Sequence, residues 1–572
     1  MGDEDPRSTL NVNVGVMGHV DCGKTSLVAA LSTSLSTASL DKHPQSRERG
    51  ITLDLGFSSF RADTPADLKP RVSADQVQVT LVDCPGHATL LKTILGGAGI
   101  IDALVLVIDA VAGVQAQTAE CIVVGECVRA QRMLCVINKT DLLPEEGRDG
   151  AVAKLAKRLS ATLARTAFRG AEVVAVAARP GGGDGVDRAG AAERAWGVRE
   201  LAERLVRFAG DVRRAPDPPT GQPGRPLLMA TDHCFTVKGQ GTVMTGTVLH
   251  GAVAKGDEVE VAGTGLVRRV RSVQAFGRAV SRASEGDRCG VCLVQLPPEA
   301  VRSERGLLCA PGTVAAVQQC VAIVRRVRFF PSAVPSRSKV HITAGHATVM
   351  AQVSFVAPDE DGAAVAWDPA ALYAALDELP GCDEDAADDQ NGPATLAALT
   401  FERPLLAPVG ARIIGSRLDM DPSEGRCRIA FEGTLVGALA GGAGGCATDH
   451  VRSYRPKERE GRVERVEPDS GGVIVRDLFP KGCDIVPFLG MRVALVRDEF
   501  AGDGARGSMD GLEVGSVAEE DAEATVERGF GLSGKVRLQL GRGAPAAGLE
   551  GRRAVLRFRK IMSGPDRGMI VQ

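Results

Sequence analysis

The run Val12-Asn13-Val14-Gly15-Val16-Met17-Gly18-His19-Val20-Asp21-Cys22-Gly23-Lys24-Thr25 begins as an apolar stretch and breaks into the spacing Gly18-x-x-x-x-Gly23-Lys24-Thr25. This pattern predicts a buried strand feeding a phosphate-binding loop. The glycines let backbone N–H groups turn inward onto phosphate oxygens, and Lys24 adds a positive charge. Thr25 offers a hydroxyl to Mg²⁺, and the helix that follows presents its N-terminus. Asp21, inside the loop, and Ser26, just after it, complete the set assigned to the nucleotide.

Three further segments supply what a nucleotide switch still lacks. Residues 79–87 read as a second buried strand that ends in Asp83, a carboxylate able to hold Mg²⁺ through water, with Gly86 placed to sense a terminal phosphate. Residues 134–141 form a third strand that runs into Asn138, Lys139 and Asp141. A carboxylate at Asp141 can accept two hydrogen bonds from guanine N1 and N2, and adenine lacks that pair of donors, so the base is read as guanine. Arg47-Glu-Arg-Gly-Ile-Thr52 lies between the first two motifs, where a mobile loop can close its Thr52 hydroxyl on the metal when a third phosphate is present. GTP and Mg²⁺ are therefore the expected ligands.

Composition bounds the rest. A chain of 572 residues that is 44% apolar has room for about four domains. The formal net charge of −3 excludes a global basic field, so any RNA contact must be local. Aromatic residues make up only 3%, too few for base-stacking platforms. The 14 cysteines follow no secreted framework, and Cys121, Cys135 and Cys309 sit inside apolar runs, as expected in a reducing compartment. Cys289-Gly-Val-Cys292 falls in a strand-like run where residues three apart face opposite sides, which disfavours a metal or redox pair. The acidic, polar start and the lack of a charge-free apolar run of about 18 residues lead to the expectation of a cytoplasmic protein with no membrane contact.

From residue 11 to about 209, strands at 12–17, 77–82, 103–108, 133–137 and 173–177 alternate with helical stretches such as 118–130, 149–166 and 198–208. That alternation predicts an α/β domain built on a mainly parallel sheet with helices on both faces, its ligands lying beyond the carboxyl ends of the strands. Ala177-Ala178-Arg179 follows the last of these strands, where a backbone N–H can reach guanine O6. Residues 211–226, rich in proline, read as a linker.

Short strands with glycine punctuation follow, predicting two β-barrels and then a C-terminal β-rich domain. The expected division is 1–215, 225–315, 316–450 and 455–572, with 357–396, which carries no Lys or Arg, as an acidic insertion loop in the third domain. Within the last domain, the alternation in Arg552-Arg-Ala-Val-Leu-Arg-Phe-Arg-Lys560 puts Arg553, Arg557 and Arg559 on exposed surface, either as solvated edge charge or as an RNA or ribosome contact.

The four nucleotide motifs followed by two barrels resemble the translational GTPases of the elongation factor Tu class. The run 229–248, the run 44–57, Asp83-Cys-Pro-Gly-His87 and the extra C-terminal domain are similar to its selenocysteine-specific branch, in the eukaryotic form. The resemblance implies a GTP-dependent factor that binds selenocysteinyl-tRNA and brings it to a ribosome paused at a recoded UGA. It also implies that His87 positions the attacking water, and that Asp232, His233 and Arg288 form a pocket for the aminoacyl group. A selenol is more acidic than a thiol, whose reference pKa is about 8.5, so such a pocket can favour an anion over serine's hydroxyl. Asp232 is then expected to pair the α-amino group.

A SECIS-binding protein or SECIS RNA is the implied partner of the fourth domain, and the factor is expected to be a monomer. Competing readings are a general elongation factor, against which the C-terminal domain stands, and the gamma subunit of an initiation factor, which needs paired cysteines at zinc-ribbon spacing. A GTP-sensing scaffold that never delivers tRNA is the reading from another class.

Overall fold

The computed structural model describes residues 9–35, 55–85, 95, 98–180, 195–212, 224–237, 241–297, 305–358, 365–381, 393–421, 426–439, 447–467, 470–496, 520–530, 534–541, 547–564 and 566–572. Chain contacts divide it into two units, Met1–Ser354 with Glu378–Ala443, and Phe355–Asp377 with Gly444–Gln572. Among the described residues no helix is long and apolar enough to cross a membrane.

The first unit opens with a seven-stranded sheet made of β1 (Thr9–Gly18), β2 (Ser34–Leu35), β3 (Gly56–Asp63), β4 (Gln76–Asp83), β5 (Ala103–Asp109), β6 (Arg132–Asn138) and β7 (Glu172–Ala175). Their order is β2-β3-β4-β1-β5-β6-β7. Neighbours from β4 to β7 run parallel, and β3 and β2 extend the edge antiparallel, an addition the sequence reading lacked. Helices α1 (Lys24–Leu31), α2 (Ala116–Cys127), α3 (Arg148–Leu163) and α4 (Val198–Arg207) cover the faces.

Each central strand is apolar throughout because both of its sides are buried. In β5, Leu104, Leu106 and Ile108 pack with Ile122 of α2 and Leu159 of α3, while Ala103, Val105 and Val107 pack with Leu27 of α1 and Leu201 of α4. α2 begins two residues before its expected start because the Gln115 and Thr118 side chains cap each other's backbone there.

In the next segment, strand Glu258–Val261 pairs with both Gly306–Cys309 and Leu266–Ala275, which closes the sheet containing Leu228–Val237, Gly241–His250 and Arg288–Leu293 into a barrel. A second barrel closes where Lys339–Ala344 pairs with both Arg412–Ser416 and Ala347–Pro358. This second barrel is fastened to α2 by two-point contacts of Arg428 Nε and Nη2 with the Glu120 carboxylate at 2.9 and 3.0 Å, and by Arg328 Nη2 to Glu126 Oε1 at 3.1 Å.

The second unit is also a closed sheet, Ser453–Glu467 pairing with both Gly472–Arg476 and Arg553–Ser563. The acidic-insertion reading of 357–396 is corrected here. Strand Tyr373–Leu376 pairs in parallel with Ser453–Glu467 and belongs to this unit, and Thr395 already begins strand Thr395–Leu406. The low basic content hid an apolar anchor, Tyr373, which is 2% exposed, stacks on Trp367 and accepts the Asp368 N–H through its hydroxyl at 2.8 Å. The run 383–389 lies outside the described residues. Of the three arginines expected on the surface, Arg557 pairs with Glu458 at 3.0 Å and Arg553 with Glu460 at 3.2 Å, both from the facing strand, while Arg559 lies over the Tyr454 ring. These are cross-strand pairs within the closed sheet, in which opposite charges offset one another.

Candidate functional site

The phosphate loop leaves β1 through Gly18, at φ 151°, where a Cβ would stand 2.3 Å from the Val107 carbonyl oxygen of β5. It enters α1 through Gly23, whose left-handed φ of 88° suits glycine. A Cβ there would meet Asn138 Nδ2 at 2.3 Å. Asp21 also adopts positive φ, 59°. Lys24 is buried and donates from Nζ to the His19 carbonyl at 2.6 Å. Thr25 Oγ1 donates to Asp83 Oδ2 at 2.7 Å, so the first motif's hydroxyl and the second motif's carboxylate meet although 58 residues separate them. Ser26 lies beside Thr25 in the first turn of α1. Burial pushes the Cys22 thiol up against the opposing charge of Lys24, which leaves it a packed, protonated member of the loop.

Asn138 ends β6 and ties this loop to the base-reading motif. Its Nδ2 donates to the Cys22 carbonyl at 3.0 Å, and its Oδ1 accepts the Ala178 N–H at 3.2 Å. Lys139 adopts positive φ and its Nζ reaches Asp109 Oδ2 at 2.9 Å. Burial raises the Asp109 carboxyl, but the Lys139 ammonium and the Val111 and Ala112 amides outweigh it and hold the group below its usual range. Thr140, fully buried, donates its hydroxyl to the Val176 carbonyl at 2.8 Å and so fixes the short turn Thr140–Leu142 that carries Asp141.

At residues 177–179 the Ala177 N–H goes to the Trp196 carbonyl and the Ala178 N–H to Asn138 at the end of β6, while Arg179 is exposed beyond them. Thr52, Gly86 and His87 lie outside the described residues.

Asp232, His233 and Arg288 come together in the first barrel. Adjacent strand residues ordinarily point to opposite faces. Here the pairing of Leu228–Val237 with Gly241–His250 slips between Thr231 and His233, leaving Asp232 as the bulged residue. His233 Nδ1 lies 3.0 Å from Asp232 Oδ1, and because an ionised carboxylate only accepts, Nδ1 carries the hydrogen. Thr245 Oγ1 donates to the same oxygen at 2.6 Å, and Arg288 Nη1 donates to Asp232 Oδ2 at 2.5 Å.

Burial raises the Asp232 carboxyl. Arg288, His233 and Thr245 together override that effect and hold it well below the carboxylate range. With both oxygens engaged and 7% exposure, Asp232 orients Arg288 and His233.

Three contacts were not legible in the sequence. The Arg288 guanidinium lies 3.4 Å from the ring centroid of Phe57 on β3. Asn11 Nδ2 and Asn13 Nδ2, both on β1, grip the Gly286 carbonyl at 2.6 and 2.9 Å, two residues before Arg288. Thr245 is the third. Phe57 and Thr245 both fall inside runs that carry the family resemblance, but nothing in those runs marks them as pocket residues.

Models for the elongation factor Tu GTP binding domain and for elongation factor Tu domain 2 match residues 9–234 and 241–303. Those for the third domain of eukaryotic selenocysteine-specific elongation factors and for the eEFSec C-terminal RIFT domain match 321–433 and 449–514. The selenocysteine-specific elongation factor of Mus musculus is 42% identical over 518 residues, which span 86% of this chain and 85% of that protein. The factor of the same name from Methanocaldococcus jannaschii is 34% identical over 343 residues, spanning 60% and 66%. Among solved structures, elongation factor SelB of Methanococcus maripaludis superposes with TM-score 0.64 in its apo form, covering 97% of this chain and 99% of that one. In complex with the GTP analogue GppNHp the same factor gives 0.66, covering 96% and 99%. At 22% identity that likeness is one of fold.

Proposed function

The chain belongs to the selenocysteine-specific elongation factors and is a GTP-binding GTPase of translation, and from that premise we propose that its GTP form holds selenocysteinyl-tRNA by the aminoacyl group at Asp232, His233 and Arg288. It then delivers the tRNA in the cytoplasm to a ribosome halted at a recoded UGA, and hydrolysis releases the factor. The observation that carries this reading is the bulge-built cluster itself, in which Asp232 orients an arginine and a histidine at one spot of the barrel. Arg288 Nη2 is buried and has no hydrogen-bond partner among the described residues, so it is a donor available to an anionic side chain.

The nucleotide residues take the roles their motifs suggest. Asp21, Gly23, Lys24, Thr25 and Ser26 cradle the phosphates, Gly86 senses the terminal one, and Asn138, Lys139 and Asp141 read guanine. The hydroxyl of Thr25 and the carboxylate of Asp83, 2.7 Å apart, are hard oxygen donors of the kind Mg²⁺ takes, with Thr52 completing the set. When bound, the ion offsets charge developing on the phosphates. His87 orients the attacking water, since phosphoryl transfer asks chiefly for alignment and charge stabilisation. The C-terminal barrel is the surface assigned to a SECIS-binding protein or SECIS RNA.

The deciding experiment compares the GTP-dependent affinity of the full chain for one tRNA charged with selenocysteine or with serine. Selenocysteine is expected to bind more tightly by at least about tenfold, the worth of one charge-assisted hydrogen bond. Equal affinities overturn the specialised reading.

A further inference from the structure

We infer that Asn11 and Asn13 of β1 are positioning residues of the aminoacyl pocket: by holding the Gly286 carbonyl they set where Arg288 stands, so that the sheet of the GTPase domain fixes the pocket's cation. This rests on the pocket reading above and adds to it two residues from another domain. β1 has two unlike sides. Val12, Val14 and Val16 pack in the apolar cluster that holds Leu27 of α1 and Leu201 of α4, and the alternation of a strand turns Asn11 and Asn13 the other way. Asn11 is 4% exposed and Asn13 2%, so both amides are out of water. On this side β1 pairs with β4 in the register Asn11 to Gln78 and Asn13 to Thr80, and Arg61 of β3 pairs with Gln78. A polar strip therefore crosses three strands.

The strip donates in one direction. Arg61 Nε donates to Gln78 Oε1 at 2.8 Å, Gln78 Nε2 to Asn11 Oδ1 at 3.4 Å, and Thr80 Oγ1 to the same oxygen at 2.7 Å. Asn11 Nδ2 then donates to Asn13 Oδ1 at 3.2 Å. With both amide oxygens accepting from behind, both Nδ2 groups are left to face the barrel, where they meet the Gly286 carbonyl at 2.6 and 2.9 Å. The main chain of Asn13 is fixed as well. Its N–H donates to Asp102 Oδ2 at 2.9 Å, and its carbonyl accepts the Asp102 N–H at 2.8 Å.

The acceptor is equally firm. Gly286 takes φ 90°, a left-handed value that suits glycine, in a turn closed by the Asp287 N–H to the Ser284 carbonyl at 2.9 Å and by the Ser284 N–H to Asp287 Oδ2 at 2.8 Å. Its own N–H donates to the Val248 carbonyl at 2.8 Å, and strand Arg288–Leu293 starts two residues on. Arg288 is thus held at both ends by one sheet: its backbone through Gly286 by β1, and its guanidinium against Phe57 of β3 at 3.4 Å. Apolar burial is non-directional and would fasten the barrel without setting this position, whereas two donors converging on one oxygen set it. Arg288 Nη2, buried and without a hydrogen-bond partner among the described residues, is the group whose aim depends on it. Asp232 orients the guanidinium within the barrel, and the asparagines place the strand that carries it.

The test measures affinities of the full chain with a GTP analogue for selenocysteinyl and seryl forms of one tRNA. The wild type is compared with Asn13→Ala, Gly286→Ala, Arg288→Ala and the double variant Asn13→Ala/Arg288→Ala, and affinity for the GTP analogue serves as the folding control. Asn13→Ala is expected to lower the selenocysteine-to-serine affinity ratio roughly three- to tenfold, the worth of one lost hydrogen bond, by weakening the selenocysteinyl form alone. In the Arg288→Ala background it is expected to lower the ratio no further, because the group it aims is gone. Gly286→Ala displaces the same carbonyl from the barrel side, is expected to act in the same direction, and carries the test if Asn13→Ala fails the folding control. An unchanged ratio in Asn13→Ala and Gly286→Ala alongside a lowered one in Arg288→Ala overturns the inference and leaves the pocket standing. So does an equal loss on both charged tRNAs, which assigns the asparagines to domain packing, or a further fall in the double variant, which makes their effect independent of Arg288. If Arg288→Ala itself leaves the ratio unchanged, the pocket reading has failed and this inference falls with it.

Discussion

The nucleotide end and the aminoacyl end of the first unit are built on opposite plans. At the first, the residues assigned to the nucleotide sit in unbroken runs of chain: β1, β4 and β6 each lead into one of its motifs, and the runs are locked to one another by single contacts such as Thr25 to Asp83 and Asn138 to Cys22. At the second, no run of chain makes the site. Asp232 and His233 meet through a bulge, Arg288 arrives from another strand, and Phe57 of β3 lies beneath it. A site made by backbone tolerates side-chain change but not a change in backbone freedom. A site made by a buried ion pair has the reverse sensitivity.

The largest effect that separates the two plans is expected from Arg288→Met. Removing one partner strands the Asp232 carboxylate, 7% exposed, and breaking a buried pair in this way costs about 3–5 kcal/mol. Urea denaturation should show the loss, and the double variant Asp232→Asn/Arg288→Met should regain much of it, because the stranded charge is gone. GTP affinity should hold in both. A double variant no more stable than the single one would mean that Arg288 acts through packing on Phe57 and not through charge.

Gly23→Ala is expected to do the converse. Its φ of 88° and the 2.3 Å approach of a Cβ to Asn138 Nδ2 force strain of about 1–3 kcal/mol into the loop that bears the phosphates. GTP affinity, measured by a fluorescent nucleotide, should fall by roughly ten- to hundredfold, and urea stability by no more than the strain itself. A variant that binds GTP normally would show that Asn138 moves aside without consequence for the nucleotide.

This contrast in plan also explains what was legible in the sequence. Glycine spacing, strand-terminal carboxylates and the Asn138-Lys139-x-Asp141 run are local patterns, and local patterns report backbone sites. The family resemblance reached Asp232, His233 and Arg288 by position, but a bulge leaves no signature in composition or period, so their convergence needed coordinates. Long-range partners were beyond reach for the same reason: nothing in the run around Asn11 and Asn13 points to Gly286, whose carbonyl both of them hold. The strand Tyr373–Leu376 was lost because an acidic composition outweighed one well-packed tyrosine. At residues 177–179 nothing in the run showed that the Ala177 amide meets Trp196 and the Ala178 amide meets Asn138.

The smallest expected effect concerns the contact between the two plans. Phe57 pairs in register with Val82, and its neighbour Gly56 with Asp83, so the ring under Arg288 is one residue pair from a carboxylate assigned to Mg²⁺. From the other side, β1 holds Gly286 through Asn11 and Asn13 and continues into the phosphate loop. These contacts make a continuous path of packed groups, and a path carries coupling only if both ends bias it. Phe57→Leu keeps the core apolar and removes the cation–π contact, worth about 1–2 kcal/mol when desolvated. The ratio of tRNA affinities in the GTP and GDP states should therefore fall by roughly five- to thirtyfold, with GDP affinity unchanged. If both states lose tRNA affinity equally, the ring supports Arg288 without reporting the nucleotide, and the asparagine grip on Gly286 becomes the contact to break next.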